Sequence, residues 1–309
     1  MRVLVYAENG FQLRGLAGLL STLGLSAEAT LVAGPKSSVE ENAYKVLGCI
    51  HHVEAERLTA GQLAEALRGL YAEVSPLLVI GPASKNATDA GSRLAATHNL
   101  PMLTEARPVE VSKDGIVAER QVLGGRAVAR LRAGLPAVVT VDTRLYEEKA
   151  EGLEKGAEIR AHPAPPATVE ILGFEPKKHE AVNIEEAEVV VGVGRGFRRK
   201  EDIAMAEELA ELLGGVVGAS RPIVADYGWL SEDRWIGISG KKIRPKLYIA
   251  IGISGAPQHM AAAMDSKIIV AINKDKNAPI FQYADYGVVA DLYKFLPLLI
   301  KKLRERLSL

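Results

Sequence analysis

Short apolar runs alternate with helix-like segments along most of the chain. Leucines recur at the three- and four-residue spacing of a buried helix face, as at Leu13, Leu16 and Leu20. Because crossover helices cover both faces of a parallel sheet, its strands are continuously apolar. The pattern therefore predicts an α/β fold with mostly parallel sheets. The predicted strands cover residues 2–6, 29–33, 77–80, 137–141, 188–192, 247–251 and 267–272.

A break in this alternation divides the chain near residues 161–187. Residues 161–166 contain three prolines, which cannot propagate a helix because proline lacks the amide donor. Residues 175–180 are charged and have almost no apolar content, and a new apolar run starts at residue 187. We predict an N-terminal α/β domain for partner contact over residues 1–175. A C-terminal domain with a terminal helix is predicted over residues 176–309.

Composition and charge narrow the class of protein. Of the 309 residues, 48% are hydrophobic and 25% are charged, as in ordinary globular proteins. The 38 basic side chains balance 38 acidic ones, whereas a nucleic-acid-binding protein is expected to have a basic excess. The single cysteine, Cys49, excludes a disulfide framework. No apolar stretch has membrane-spanning length and no signal segment is recognisable, so we expect a cytoplasmic protein that is not a membrane protein.

The N-terminal half has few candidate functional residues. Residues 81–89 follow a predicted strand and lead into a helical pattern, a position where α/β sheets often bind ligands. A capped loop without a ligand is the simpler interpretation. His51 and His52 lie near Cys49, but no third ligand has a suitable spacing for a metal. We interpret the two histidines as part of a surface loop and predict no metal site.

In the C-terminal half, small and polar residues follow the predicted strands. A glycine-rich turn over residues 192–196 precedes a helical pattern over residues 200–213. The second strand, residues 215–219, ends in Ser220 and Arg221, whereas an NAD site normally has a carboxylate there. Since ligands bind at the carboxyl ends of parallel strands, we expect these ends to line one crevice. The residues by themselves predict a site for a nucleotide cofactor.

The later strands end in the same kind of residues. A small-residue turn over residues 252–256 leads into a helix predicted over residues 257–264, which begins with Gln258 and His259 after a proline. Asn273 ends the next strand and is suited either to a ligand contact or to an ordinary Asx turn. Asp291 is placed either to cap a helix over residues 292–303 or to contact a ribose or adenine.

The C-terminal half contains a series of recognisable motifs: GRG (194–196), GASR (218–221), LYIAIGISGAPQH (247–259), DSK (265–267), AINKD (271–275), APIF (278–281) and ADYGVVAD (284–291). With these motifs the chain resembles the alpha subunit of electron transfer flavoproteins. The resemblance is specific over about residues 190–292 and weaker over residues 1–150. It implies FAD as cofactor, a Rossmann-like FAD-binding C-terminal domain, and a heterodimer with the electron transfer flavoprotein beta subunit.

The same resemblance implies roles for individual residues. Arg195 and Ser220 are expected on the phosphate side of the cofactor, and Arg221 over the flavin ring. Ser239 is expected near the flavin N5 and His259 near a flavin carbonyl, where a donor stabilises negative charge. The expected cofactor-binding residues are Arg195, Ser220, Arg221, Ile236, Gly237, Ile238, Ser239, Ser254, Gly255, Ala256, Pro257, Gln258, His259, Asn273, Asp291 and Leu292.

Other segments are assigned by resemblance too, and two positions depart from the family pattern. Residues 254–258 are expected around the pyrophosphate and ribityl chain, Asn273 at the phosphates, and Asp291 with Leu292 at the adenosine end. Ile238 and Ser239 stand where the family usually has Gln-Thr, so a glutamine contact is lost although a hydroxyl remains. Pro257 replaces an aliphatic residue, which the start of a helix tolerates.

The implied function is electron carriage rather than stand-alone catalysis, with no catalytic residue expected. Donor dehydrogenases and a quinone oxidoreductase acceptor are the implied redox partners. An electron-bifurcating complex coupling NADH oxidation to quinone and ferredoxin reduction is an alternative within the family. An NAD-dependent dehydrogenase and a non-redox nucleotide-binding regulatory module are alternatives of other classes.

Overall fold

The chain divides into two compact units. The computed structural model describes residues 1–55, 58–123, 126–169, 172–173 and 182–307. One unit is drawn from Met1–Arg120 and Val128–Phe174, and the other from Gln121–Ala127 and Glu175–Leu309. Their sheets are mostly parallel, which confirms the predicted α/β class. The predicted boundary between residues 175 and 176 lies outside the described residues.

A seven-stranded parallel sheet forms the centre of the first unit. Four helices accompany it: α1 (Gly10–Thr22), α2 (Lys36–Glu41), α3 (Ala60–Val74) and α4 (Lys85–Thr97). The strands up to residue 161 are β1 (Val3–Ala7), β2 (Ala29–Ala33), β3 (Cys49–Val53), β4 (Leu78–Pro82), β5 (Met102–Leu103), β6 (Arg107–Ser112), β7 (Gly115–Val122), β8 (Ala127–Ala133), β9 (Ala137–Val141) and β10 (Ile159–Ala161). The order in the sheet is β10-β3-β2-β1-β4-β9-β5.

Both faces of this sheet are buried, as the continuous apolar runs predict. In β1, Val3 and Val5 pack into an apolar cluster on one face, and Leu4 and Tyr6 pack into a second cluster on the other. Side-chain caps start the helices: Asn9 accepts from an amide of α1, and Ser84 accepts from the amide of Ala87 at 3.2 Å. The loop before α4 therefore ends in a side-chain cap of that helix.

The prediction of a surface loop at His51 and His52 is wrong. Both residues lie in β3, which pairs with β2 and β10 inside the parallel sheet. His52 is buried, and its Nε2 lies 2.7 Å from the carbonyl oxygen of Gly34. That hydrogen bond allows a polar side chain inside the sheet, because a buried polar group is tolerated when it is paired. Among the described residues, no three His, Cys, Asp or Glu side chains are grouped to hold a metal.

A three-stranded sheet, β6-β7-β8, departs from the parallel pattern. Strands β6 and β7 run antiparallel and pair from Arg107 opposite Glu119 to Ser112 opposite Gly115. This sheet was not predicted because its strands carry alternating charged side chains instead of continuous apolar runs. The alternation in β8, where Arg130 and Arg132 flank Leu131, is the period-two signal that could have revealed it.

The second unit is built on a five-stranded parallel sheet. Its strands are β11 (Val189–Val193), β12 (Val216–Ala219), β13 (Leu247–Ile251), β14 (Ile268–Asn273) and β15 (Tyr286–Val289). They follow the order β12-β11-β13-β14-β15, so the strand order reverses between β11 and β13. Its helices are α5 (Ala204–Leu212), α6 (Pro257–Met260) and α7 (Leu292–Leu307). The helix predicted over residues 257–264 is therefore shorter, and α6 continues as a turn.

Helix α7 packs on its own unit. Leu292, Leu296 and Ile300 recur every four residues and are buried in the cluster that also holds Leu209 of α5. Arg304 adds an ion pair to Glu208 at 2.7 Å. No helix among the described residues has the length and apolar content needed to cross a membrane.

Substituting Gly81 by alanine should destabilise the first unit. A Cβ at Gly81 would lie 2.1 Å from Cζ of the buried Tyr6 ring. We expect the free energy of unfolding to fall by roughly 1–3 kcal/mol because the ring cannot move aside in a packed core. The matched control is Gly69→Ala in α3, where nothing lies within 4 Å and alanine should stabilise the helix by about 1 kcal/mol. Urea unfolding of both variants is the measurement, and equal stabilities would contradict the packing.

Candidate functional site

The carboxyl ends of the five-stranded sheet surround a cavity of about 780 Å³. Its walls are formed by residues that follow all five strands, such as Arg195 after β11 and Asn273 at the end of β14. The structure thus brings the predicted strand ends together into one crevice. Their position matches the rule for doubly wound sheets, in which ligands bind where the strand order reverses. Here that reversal lies between β11 and β13.

Glycines allow the loops after β11 and β13 to touch. The amide of Gly196 donates to the carbonyl oxygen of Gly252 at 3.1 Å. A Cβ at Gly252 would lie 2.7 Å from Cα of Gly196, and Gly252 has a φ of +63°. A Cβ at Gly194 would lie 2.4 Å from the Gly252 oxygen. The close approach of the two backbones therefore requires glycine on both loops.

Most of the predicted site residues line the cavity. Gly255 and Pro257 do not, although both shape the loop that does. Gly255 has a φ of +83° and leaves no room for a Cβ against the Ile280 amide, and Pro257 begins α6. The predicted residues in the lining are Arg195, Ser220, Arg221, Ile236, Gly237, Ile238, Ser239, Ser254, Ala256, Gln258, His259, Asn273, Asp291 and Leu292.

Several lining residues were not predicted from the sequence, among them Arg198, Trp235 and Tyr293. Trp235 lies beside Ala219 in an isolated parallel bridge, beyond the end of β12. Nothing in the apolar periodicity marks this bridge, because it is a single pair. Arg198 and Tyr293 follow strand ends by a few residues, and that position is a signal that could have found them.

Positive charge exceeds negative charge around the cavity. Arg198 lies 3.9 Å from Asp291 and its guanidinium packs over a tyrosine ring. Arg195, Arg221 and Lys274 have no carboxylate partner among the described residues. Arg221 lies 6.0 Å from the ring centre of Trp235, just before a π-helical turn over Pro222–Asp226. Cations left unpaired in a concave site attract an anionic group such as a diphosphate.

A small network supports the wall formed by α7. The Tyr293 hydroxyl donates to Asp202 at 2.6 Å and accepts from the amide of Arg198 at 2.7 Å. The hydrogen bond from Tyr293 lowers the pKa of Asp202, so the carboxylate stays charged. Asp291 accepts from the amide of Tyr293 at 2.8 Å. Asp291 is thus a cap of α7, while it also lines the cavity.

Asn273 joins two of the loops around the cavity. Its Nδ2 donates to the carbonyl oxygen of Ile253 at 2.8 Å, and its Oδ1 accepts from the amide of Asp275 at 3.0 Å. The second bond forms an Asx turn, which is one of the two alternatives that the sequence suggested for Asn273. The first ties the loop after β14 to the loop after β13, so Asn273 shapes the site as well as facing it.

His259 is buried in the cavity wall with half of its hydrogen-bonding capacity unused. Its Nε2 lies 2.7 Å from the hydroxyl of Tyr248, whereas its Nδ1 is buried without a hydrogen bond of good geometry among the described residues, although the Ile236 backbone lies close enough to act on the ring. Burial lowers the pKa of His259 to about 4, an effect that the Ile236 backbone opposes in part. The ring is therefore neutral at neutral pH. Its unpaired nitrogen indicates that a further polar group belongs at this site.

Comparison with known proteins decides the family. Residues 183–264 match the electron transfer flavoprotein FAD-binding domain, and residues 22–167 match the electron transfer flavoprotein domain. YdiR of Escherichia coli K12, described as an electron transfer flavoprotein subunit, is 37% identical over 78% of both chains. Protein FixB of Escherichia coli O139:H28 is 35% identical over 79% of this chain and 78% of its own. The chain belongs to the electron transfer flavoprotein family.

The matches support an alpha subunit with FAD as its cofactor. A solved structure of a UDP-N-acetylglucosamine 2-epimerase from Listeria monocytogenes, 12% identical, covers 98% of this chain and 88% of its own. Its TM-score of 0.38 is too low to support an argument. The family assignment therefore depends on the sequence matches.

The cavity residues of this alpha subunit fit FAD. The cations Arg195, Arg221 and Lys274, which have no carboxylate partner in the part of the chain that the structure describes, complement the charge of a pyrophosphate. The buried Nδ1 of His259 has no well-formed hydrogen bond within that part of the chain, and a polar edge of a bound ring could provide one. The cavity of about 780 Å³ at the strand ends leaves room for a bulky group. These are properties of the chain itself, independent of the family match.

Replacing His259 by glutamine should remove a pH-dependent part of stability. Because burial lowers the pKa of His259 from 6.5 to about 4, the unfolded chain binds a proton that the folded chain does not bind in that window. Stability is therefore lost as the pH falls from 6.5 toward 4. Relative to His259→Gln, the wild-type chain should lose ~2 kcal/mol between about pH 7 and about pH 5, measured by urea unfolding.

The exposed His98 provides the control for this experiment. His98→Gln removes an imidazole from the surface of the first unit rather than from the cavity wall. A stability difference between the wild type and His259→Gln that is constant with pH would contradict the buried, neutral ring.

Proposed function

We propose that this chain is the FAD-binding alpha subunit of a heterodimeric electron transfer flavoprotein. It receives electrons from dehydrogenases and passes them to an acceptor of the quinone-oxidoreductase type. The cavity is the observation that supports the proposal, because it combines cations that have no carboxylate partner among the described residues with a neutral buried histidine, at the point where the strand order of a parallel sheet reverses. The first unit, whose residues 22–167 match the family domain, supplies the contact with the beta subunit.

The chain's contribution to this function is to bind, orient and stabilise charge. Bound FAD supplies the redox chemistry. Arg195 and Ser220 hold the phosphates, and Arg221 provides the cation that favours negative charge on the reduced ring. Ser239 and His259 provide a hydroxyl and an imidazole at the polar edge of the ring. Ile236, Gly237 and Ile238 form the wall beside them.

The remaining lining residues hold the rest of the cofactor. Residues 254–258 surround the pyrophosphate and ribityl chain, Asn273 supports the phosphate loops, and Asp291 with Leu292 bounds the adenosine end. Ile238 is 44% exposed and its amide donates to the carbonyl oxygen of Gln258 at 3.1 Å. Its backbone therefore connects two segments of the cavity wall. Its side chain presents an apolar surface where the family usually has glutamine.

Arg221→Ala should lower the reduction potential of the bound flavin. Without the cation, negative charge on the reduced ring loses stabilisation, and we expect a shift of about 30 mV or more, which is about tenfold in a two-electron equilibrium. A redox titration of the coexpressed complex measures this shift. Arg68→Ala is the control, because Arg68 is exposed on α3 and pairs with Glu65 in the first unit. An unchanged potential in Arg221→Ala would remove Arg221 from the flavin environment.

Flavin content decides between the carrier and its alternatives. The chain, coexpressed with the neighbouring gene product as candidate beta subunit, should contain one FAD per heterodimer by visible absorption after purification. Two FAD molecules per heterodimer, with reduction by NADH, would instead support electron bifurcation. A colourless complex would leave a nucleotide-binding module without redox function.

A further inference from the structure

A buried tyrosine lies directly behind His259. Tyr248 in β13 is fully buried, and its hydroxyl oxygen lies 2.7 Å from Nε2 of His259. The ring fits because the neighbouring strand β11 has glycine at position 192. A Cβ at Gly192 would lie 2.5 Å from the Tyr248 oxygen. The sheet therefore holds the hydroxyl at one position against one nitrogen of the imidazole.

The direction of this hydrogen bond follows from the available partners. A buried hydroxyl proton without an acceptor is unfavourable, and Nε2 of His259 is the acceptor that the described residues offer to Tyr248. Tyr248 stays a phenol because burial raises its pKa well above the usual range. If Tyr248 donates to Nε2, that nitrogen carries no proton. A neutral imidazole then has its single proton on Nδ1.

We propose that Tyr248 is a positioning residue that fixes His259 in the Nδ1–H tautomer. Nδ1, which is buried and has no hydrogen bond of good geometry among the described residues, is thereby a hydrogen-bond donor on a residue that lines the cavity, available to an acceptor atom of a bound ligand. That the acceptor belongs to the flavin depends on the proposed function, whereas the tautomer itself does not. A donor at this position binds an electron-rich edge more tightly than an imidazole lone pair would.

The tautomer can be observed without a cofactor. The full-length chain, labelled with ¹⁵N in its histidines, is studied by NMR before and after addition of FAD. For His259 we expect a protonated Nδ1 and a proton-free Nε2 in both states. In Tyr248→Phe the constraint is absent, and the Nε2–H tautomer should become populated. A wild-type ring protonated at Nε2 would overturn the proposal, and so would a Tyr248→Phe ring that keeps only the Nδ1 proton.

Tyr6→Phe is the matched control. Tyr6 is also a fully buried strand tyrosine, and its hydroxyl donates to the carbonyl oxygen of Ala87 at 2.9 Å in the first unit. Tyr6→Phe also removes a tyrosine hydroxyl from a buried core, so this variant shows any effect of lower stability on the NMR spectra. The His259 signals should not change in Tyr6→Phe. A tautomer change of the same size there would show that general loosening, not Tyr248, controls the ring.

FAD affinity provides a second readout with a fixed relation to the first. If only the Nδ1–H form accepts the cofactor, the dissociation constant rises by the reciprocal of the population of that form. A Tyr248→Phe ring that is half in each tautomer should therefore bind FAD about twofold more weakly. An unchanged dissociation constant beside a mixed tautomer would refute the donor role. A wild-type chain that binds no FAD would refute the proposed function, while the NMR result would still decide the tautomer.

Discussion

The close contact between the loops after β11 and β13 is the constraint on which the site depends. Gly194, Gly196 and Gly252 lie so near one another that a Cβ on any of them would overlap a neighbouring backbone or side-chain atom. The contact brings together two strand ends at the point where the strand order reverses. Arg195 is placed at the cavity by the same turn. The positions of the charged and polar groups around it follow from this backbone packing.

The two units use the same steric arrangement for different purposes. In each, a strand tyrosine packs against a glycine of the neighbouring strand: Tyr6 against Gly81, and Tyr248 against Gly192. Tyr6 donates to a backbone carbonyl oxygen of α4, a bond that only stabilises the fold. Tyr248 instead meets a side chain, His259, that lines a cavity. The arrangement becomes relevant to function only through its partner.

Two kinds of group line the cavity: cationic side chains and a neutral histidine that can form hydrogen bonds. Arg195, Arg221 and Lys274 have no carboxylate partner among the described residues, so these cations can compensate an anionic ligand. His259 is kept neutral by burial, so it acts through its hydrogen bonds rather than through a charge. A cofactor that combines a diphosphate with a polar aromatic ring uses both kinds of group, which is the physical reason why FAD suits this alpha subunit.

Local patterns along the chain were enough to predict most of the parallel strands, the α/β class and the strand ends that meet at the cavity, because a buried strand and its turn are encoded by neighbouring residues. The motif over residues 247–259 also indicated the protein family. Only the tertiary structure placed His52 inside a sheet, Trp235 beside β12 and Tyr293 against Asp202. Tyr293 and Asp202 are 91 residues apart in the chain. Such pairs depend on which strands become neighbours in the sheet, and local periodicity contains no information about that arrangement.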